Sequence, residues 1–326
     1  MAVPTREPTR IDGSMNSHWD GTLPSNTSAS SVRHIETSMP RKIGVLGLGS
    51  IGRRHYRNFK DLGCEVETYD LQANGGKGLT SLNHDSLLEW ADAIVIATPT
   101  VQHYQDIIDC HDAHRYVFVE KPIISTRNHW AAISTTHIKM VGYNLRFHSC
   151  VKRAREWLGE GLIGKPLWAR FTCAQYNNKA DYIRDGVILN WSHEIDLAIH
   201  LLGHAVMMAA VGDDQSTVDI ILNHDVTHCQ TVVHLDYLTK YERRGFLIVG
   251  TDGSIEVDLL RRKAFCPDNR GLYTRNFHGR DTFDENYVAE AHAFLDRLDG
   301  KDVDGCTAAE AMHVADICLL AKVHMK

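Results

Sequence analysis

The chain has 326 residues, of which 43% are hydrophobic and 23% are charged, so it is long enough for two domains. Its formal net charge of -6 gives no basic surface, which argues against a nucleic-acid partner. The longest apolar run, residues 205–211, is too short to span a membrane, and no secretion signal opens the sequence, so we expect a cytoplasmic protein.

Cysteines and histidines raise the questions of disulfides and metals. The eight cysteines stand singly and none forms a CxxC pair, so reduced thiols are expected. Among the 20 histidines, His193, His200 and His204 would share one stripe of a helix. No carboxylate or cysteine at a suitable spacing completes a ligand set, and we therefore predict no metal.

Residues 1–38 differ in composition from the rest of the chain. They hold seven serines, five threonines and three prolines, without a sustained hydrophobic period. Such a segment cannot bury enough apolar surface to offset its conformational entropy. We predict a mobile N-terminal tail, which either has no role or packs as an arm on a neighbouring subunit.

Beyond the tail, short apolar strands alternate with helical or loop segments. The predicted strands are residues 42–46, 64–70, 93–97 and 116–119, and a helix is predicted over 53–62. This alternation predicts an α/β fold, with a Rossmann doubly wound parallel sheet over residues 39–142.

The turn after the first predicted strand carries a dinucleotide-binding pattern. Gly47, Gly49 and Gly52 form GxGxxG, and Asp70 ends the next strand, at the spacing of about 20 residues that the pattern requires. The helix start, with the amides of Ser50 and Ile51, would hold the phosphates. Asp70 would bind the adenosine ribose and repel a 2′-phosphate, which favours NAD over NADP; the alternative is that Asp70 only caps a turn.

The second half of the chain has a different pattern, with strands in series. They are predicted over residues 167–174, 217–222, 230–238 and 245–249, mixed with helices. Such a series predicts a C-terminal α+β domain, residues 143–326, with an open and mainly antiparallel sheet.

Several further segments give the chain a family resemblance. They are residues 97–103 (ATPTVQH), 120–122 (EKP), 141–147 (VGYNLRF), 192–196 (SHEID) and 243–257 (RRGFLIVGTDGSIEV). Their order and spacing resemble the glucose–fructose oxidoreductase, inositol dehydrogenase and rhizopine-catabolism superfamily, from about residue 42 to the C-terminus. The resemblance implies an NAD-dependent oxidoreductase acting on CH–OH groups of a sugar, sugar nucleotide or polyol.

The resemblance also assigns roles to individual residues. His193 is implied as the catalytic base and Lys121 as the group that binds the reacting oxygen, aimed by a cis bond before Pro122. Besides the glycine turn and Asp70, the implied cofactor contacts are Thr98, Pro99, His103, Glu120 and Lys121. The implied substrate contacts are Tyr143, Asn144, Arg146, Arg184, Asn190 and His193. Pairing of the second sheet between subunits would give a homodimer or homotetramer.

Two departures from the superfamily pattern keep other functions open. Leu189 and Asn190 stand where an aspartate usually precedes the catalytic histidine, and the segment between Pro122 and Val141 is shorter than expected. The alternatives are an NAD-dependent redox-elimination glycosidase and a non-catalytic dinucleotide sensor. Retention of both Lys121 and His193 favours the dehydrogenase, and the SHEID form resembles members from surface-polysaccharide or nonulosonate metabolism.

Overall fold

The computed structural model describes residues 41–71, 82–176, 186–267 and 274–325, without the side chains of residues 130–132. Residues 40–326 form one compact unit that contains two sheets. The tail predicted over residues 1–38 lies outside the described residues.

The first sheet has five strands that are all parallel. They are β1 (Lys42–Leu46), β2 (Glu65–Tyr69), β3 (Ala93–Ile96), β4 (Tyr116–Glu120) and β5 (Ile138–Gly142). The order is β2-β1-β3-β4-β5, so the direction of winding reverses between β1 and β3. β1, β3 and β4 are almost continuously buried, because helices cover both faces. The predicted doubly wound sheet is confirmed.

Three helices connect the first four strands. They are α1 (Ser50–Asp61), α2 (His84–Trp90) and α3 (Thr100–Asp112). The connection from β4 to β5 holds only a 3-10 segment, Arg127–Ala132, in place of a full helix. This fits the short spacing seen in the sequence, since the segment between Pro122 and Val141 leaves little room for a longer helix.

The second sheet has eight strands and follows α4 (Ser149–Gly159). Its strands are β6 (Pro166–Ala174), β7 (Ala205–Asp213), β8 (Thr217–His224), β9 (Gln230–Asp236), β10 (Arg243–Gly250), β11 (Ser254–Asp258), β12 (Lys263–Pro267) and β13 (Thr274–His278). The order is β13-β12-β11-β10-β6-β9-β8-β7, antiparallel except for the pair β6–β9. The predicted mainly antiparallel sheet is confirmed.

The unit also contains the helices α5 (His193–Leu202), α6 (Phe283–Leu298) and α7 (Ala308–His324). α5 packs on the inner face of the second sheet. α6 instead packs against the first sheet, where Phe294 meets Phe59 of α1 and Phe118 of β4. The proposed division at residue 142 therefore leaves one core helix of the first sheet in the C-terminal part.

The structure also bears on the membrane and disulfide questions. No helix in the described ranges has the length and apolar character needed to cross a bilayer. All eight cysteines are unpaired, and seven of them are buried.

Candidate active site

A cavity of about 700 Å³ opens at the carboxyl ends of β1, β3 and β4, where the winding of the first sheet reverses. Open α/β sheets bind ligands at this kind of position. Ten of the residues predicted from the sequence line it: Ser50, Ile51, Thr98, Pro99, His103, Glu120, Lys121, Asn144, Asn190 and His193. The structure thus brings together residues from both parts of the chain.

The glycine turn between β1 and α1 fits a dinucleotide. Gly47 has φ +90°, and a Cβ there would meet the carbonyl oxygen of Ala97 at 2.6 Å. A Cβ on Gly52 would stand 1.9 Å from the carbonyl oxygen of Gly47. Gly49 has nothing within 4 Å of its Cβ position, so a pyrophosphate can approach the backbone.

Asp70 lies at the end of β2, beside this turn. Its Oδ2 accepts a hydrogen bond from the amide of Leu48 at 2.5 Å. The bond fixes the carboxylate next to the residues that would hold the cofactor. A carboxylate can accept several hydrogen bonds, so the capping and ribose-binding roles are compatible.

Lys121 occupies the turn after β4. Its peptide bond to Pro122 is cis, as the resemblance implied. Its Nζ donates a 2.7 Å hydrogen bond to the backbone oxygen of Asn190, which ties the turn to the second half of the chain. Desolvation lowers the pKa of the ammonium, with a smaller contribution from Arg244, while Glu120 acts in the opposite direction.

His193 begins α5 and is 8% exposed. Its ring packs edge-on against Tyr143, with the centroids 5.5 Å apart, and its Nδ1 has no hydrogen-bond partner among the described residues. Burial, and then the charges of Lys121 and Arg244, lower the pKa of His193 well below its usual value. The imidazole is therefore neutral near pH 7 and can accept a proton.

An ion pair that the sequence did not reveal holds the start of α5. Arg244 of β10 donates to both carboxylate oxygens of Glu194, at 2.7 and 3.2 Å. Glu194 is 1% exposed and adjoins His193. The partners lie 50 residues apart, so no local spacing could have indicated their contact.

Two of the predicted substrate contacts have protein partners beside His193. Asn190 Nδ2 donates to the carbonyl oxygen of Gly186 at 2.9 Å and to the hydroxyl of Tyr237 at 2.8 Å. The hydroxyl of Tyr143 donates to Ser192 at 3.3 Å. Asn190 lines the cavity whereas Tyr143 does not, and the substrate role of both residues stays a prediction.

Arg146 and Arg184 are two further predicted substrate contacts. Arg146 is 3% exposed, and its guanidinium bonds to Asp196 and Glu310. This geometry favours a structural role over a substrate contact, because the guanidinium of Arg146 already binds two carboxylates. Arg184 lies outside the described residues.

His103 links the two cofactor-side turns. One ring nitrogen lies 2.9 Å from the carbonyl oxygen of Thr98 and the other 3.0 Å from that of Pro122. The ring is 1% exposed. His103 therefore braces the turns after β3 and β4 at the cavity wall.

Among the cavity residues that the sequence did not indicate as site residues are Arg54, Phe283 and Tyr287. The guanidinium of Arg54 lies 4.5 Å from the ring centroid of Tyr287. Tyr287 and Phe283 come from α6, near the far end of the chain. Only the packing of α6 on the first sheet brings them to the cofactor side.

The predicted histidine stripe does not form as expected. α5 ends at Leu202, and His204 beyond it stacks on His313 and bonds to Asp225. Within the described ranges, the only group with metal-ligand spacing is elsewhere: His84, Asp106 and Asp109. Hydrogen bonds from Thr98 and Gln105 already engage the two carboxylates of that group.

Comparisons with known proteins agree with this geometry. Residues 6–113 match the family model of the D-isomer specific 2-hydroxyacid dehydrogenase NAD binding domain. Myo-inositol 2-dehydrogenase from Thermotoga maritima is 28% identical over 186 residues, 51% of this chain and 56% of that protein. The chain thus aligns with just over half the length of this relative.

Solved structures show the same fold over most of the chain. UDP-N-acetylglucosamine 3-dehydrogenase GnnA from Acidithiobacillus ferrooxidans is 20% identical, with a TM-score of 0.74, covering 88% of this chain and 98% of its own. Levoglucosan dehydrogenase, in complex with NADH and levoglucosan, is 18% identical, with a TM-score of 0.75 and coverages of 87% and 97%.

The chain is thus similar to an inositol dehydrogenase over about half its length and shares the fold of two further sugar dehydrogenases. The predictions of a two-sheet fold and of NAD as the cofactor are confirmed, and the relatives agree with the resemblance seen in the sequence. The named relatives are dehydrogenases, which is the enzyme class that the sequence predicted.

Proposed function

We propose that the chain is an NAD-dependent dehydrogenase or ketoreductase that acts on a CH–OH carbon of a sugar, sugar nucleotide or polyol. One observation carries the proposal. Lys121 from the first sheet and His193 from the second half of the chain line one cavity beside the glycine turn. Alcohol oxidation requires a base that takes the hydroxyl proton and a cation that stabilises the negative charge developing on the oxygen.

The residues of the chain divide this work between them. NAD, when bound, supplies the hydride acceptor. The neutral imidazole of His193 takes the hydroxyl proton of the substrate. The Lys121 ammonium stabilises the negative charge that develops on the substrate oxygen, and its bond to the Asn190 carbonyl holds it in place. In the reductive direction the same two groups donate the proton and polarise the carbonyl.

The cofactor would lie along the carboxyl ends of the first sheet. The amides of Ser50 and Ile51, at the start of α1, would hold its phosphates. Thr98 and Pro99 would line its other side, and Asp70 would accept hydrogen bonds from the adenosine ribose. α1 has no acidic residue in its first turn, so an anion there meets no repulsion from the helix.

The substrate class rests on the named relatives and on the cavity. The relatives are named for inositol, UDP-N-acetylglucosamine and levoglucosan, which are all polyhydroxylated rings. Asn144 and Asn190 add amide groups to the cavity wall, and these suit sugar hydroxyls. Within this class we favour a sugar nucleotide of surface-polysaccharide or nonulosonate metabolism, consistent with the fold shared with the UDP-N-acetylglucosamine 3-dehydrogenase.

The test is a screen for hydride transfer with NAD, inositols, free sugars and UDP-sugars, followed by NADH absorbance. We expect net NADH formation with at least one ring substrate, and none in His193→Ala. Glycoside cleavage without net NADH would identify a redox-elimination glycosidase. Binding of NAD and sugar without any hydride transfer would identify a dinucleotide sensor.

We also propose a cytoplasmic homodimer or homotetramer formed through the second sheet. Strands β6 and β7 carry exposed apolar side chains at Trp168, Val206, Met208 and Val211. Contact with a second copy would cover them. Light scattering after gel filtration should give two or four times the 36.7 kDa chain mass, and Met208→Lys should lower that ratio.

A further inference from the structure

Four side chains near the cavity are at most 1% exposed yet have polar atoms without hydrogen-bond partners among the described residues. These atoms belong to His55, Asn144, Asn286 and Glu290. Asn286 and Glu290 lie one turn apart on α6, which packs against α1 and against the segment of Asn144. Because proteins pair nearly all buried polar atoms, we expect ordered water to complete this cluster.

Glu290 is the titratable member that the proposed reaction does not use. It is 0% exposed, and neither of its carboxyl oxygens has a hydrogen-bond partner within the described ranges. An isolated carboxylate at such a position would cost several kcal/mol, whereas a neutral acid costs far less. Burial, followed by the charges of Glu120 and Asp196, raises the pKa of Glu290 well above its usual value.

Among the described residues, no basic side chain forms an ion pair with Glu290. Glu120 faces it from β4 and Asp196 from α5, and both are acidic. Each of these two acids has a basic partner of its own: Arg146 bonds to Asp196, and His55 Nε2 lies 2.7 Å from Glu120. The surroundings therefore hold Glu290 in its protonated form.

Tyr287 is the titratable neighbour of Glu290 on α6 itself. Burial, followed by the charges of Glu120 and Glu290, raises the pKa of the Tyr287 phenol. The phenol therefore stays neutral across the range in which Glu290 could titrate, and it supplies no positive charge. Its cation partner, Arg54, lies over the Tyr287 ring and also pairs with Asp284.

Glu120 is the member of this group that reaches the cofactor side. Its carboxyl group lies against Gly142, where a Cβ would stand 2.9 Å from Oε2. It pairs with His55 and accepts a 3.3 Å hydrogen bond from the backbone amide of Lys121. The carboxylate of Glu120 thus supports the turn that carries the proposed catalytic lysine.

We propose that Glu290 is a positioning residue held as an uncharged carboxylic acid, so that Glu120 alone keeps the negative charge that supports the Lys121 turn. The role in positioning Lys121 rests on the proposed function. The protonation state does not, because it can be measured on the folded protein without any substrate.

The experiment compares the unfolding of wild type, Glu290→Gln and Glu310→Gln between pH 5 and pH 9. The amide mimics a neutral acid. Because the pKa of Glu290 is raised in the folded protein, the stability of wild type falls as the pH rises above about 4.5. The folding equilibrium constant falls by up to tenfold for each pH unit. Glu290→Gln has no carboxyl group to ionise at this position. We therefore expect its free energy of unfolding to rise steadily relative to that of wild type as the pH approaches 9.

Glu310 is the matched control with the opposite sign. Arg146 and the Thr307 amide lower the pKa of Glu310. Its contribution to stability is present above the pKa of the unfolded chain and is lost only in acid, so the difference in stability between Glu310→Gln and wild type should stay constant between pH 5 and pH 9. A difference between Glu290→Gln and wild type that stays constant, or that grows in favour of wild type, would overturn the proposal.

A second measurement does not depend on the variant folding well. Infrared spectra of wild type at pH 8 should contain a protonated carboxyl band, and Glu290→Gln or Glu290→Leu should lack it. Absence of that band in wild type would also overturn the proposal. In addition, Glu290→Gln should keep kcat and the NAD dissociation constant within about twofold, whereas Glu120→Gln should lower kcat, because it removes the charge behind the Lys121 turn.

Discussion

The two walls of the cavity take their residues from different kinds of structure. On the cofactor side, the turns after β1, β3 and β4 supply short consecutive segments around Ser50, Thr98 and Lys121. On the other side, the start of α5 is fixed by the ion pair between Glu194 and Arg244, whose partners are distant in sequence. We call the first the local wall, because each of its segments is short and continuous in the sequence. We call the second the assembled wall, because the residues of its ion pair are far apart in the sequence. Substitutions in the two walls should therefore affect different properties of the protein.

The largest effect on the rate should come from substitution of Lys121 in the local wall or of His193 in the assembled wall. His193→Ala and Lys121→Ala should each lower kcat by about 10²–10⁴-fold, because each group acts mainly in the transition state. The dissociation constant of NAD should change little. Lys121→Arg should not rescue the rate, since a planar guanidinium cannot take the place of the ammonium.

The double variant tests whether the two groups serve one proton transfer. Its loss in single-turnover hydride transfer should be smaller than the product of the two single losses. If both single variants kept near-wild-type rates, the cavity would not be the active site.

The second effect belongs to the assembled wall. Arg244→Ala should lower the free energy of unfolding by about 3 kcal/mol, because it leaves the Glu194 carboxylate buried without its partner. Arg153 provides the control, since it pairs with Glu156 on the exposed side of α4. Arg153→Ala should change stability by less than about 0.5 kcal/mol in the same denaturant titration. If Arg244→Ala and Arg153→Ala lowered the free energy of unfolding equally, the buried ion pair of Arg244 would contribute no more than the exposed one.

The third effect belongs to the local wall. Asp70→Ala should weaken NAD about tenfold, or about 1.4 kcal/mol, and bring the affinities for NAD and NADP closer together. The fold should survive, because Asp70 is only partly buried. Asp61→Ala, which removes the same charge from the exposed end of α1, is the control for calorimetry. A wild type that prefers NADP tenfold would refute the role given to Asp70.

The smallest effect concerns pH. Oxidation requires neutral His193 and charged Lys121, and the surroundings lower both pKa values. The rate should therefore decline in acid only below pH 6.5, and its decline in base should begin below pH 10.5. Arg244→Met removes a cation that lowers the pKa of His193, so its acid limb should move to higher pH. If the acid side of the pH–rate profile did not move in Arg244→Met, it would reflect the titration of a group other than His193.

The local wall could be predicted from the sequence to a large extent, because its signals are contiguous. β1 has the bounds expected for it, and Ser50 of the glycine turn, Lys121 and His193 all line the cavity. Glu194 adjoins His193 in the chain, but only the register of β10 brings Arg244 to it. Likewise, no spacing linked Tyr287 to the cofactor side, since that contact depends on how α6 packs.

The position of α6 has a consequence for how the protein is made. Phe294 of α6 fills the core between β4 and α1, although its partner Phe118 belongs to the first half of the chain. A ribosome that has completed the five parallel strands has therefore not yet produced the helix that covers one of their faces. The emerging chain would expose this apolar surface until α6 has been synthesised, which makes it a candidate for chaperone binding.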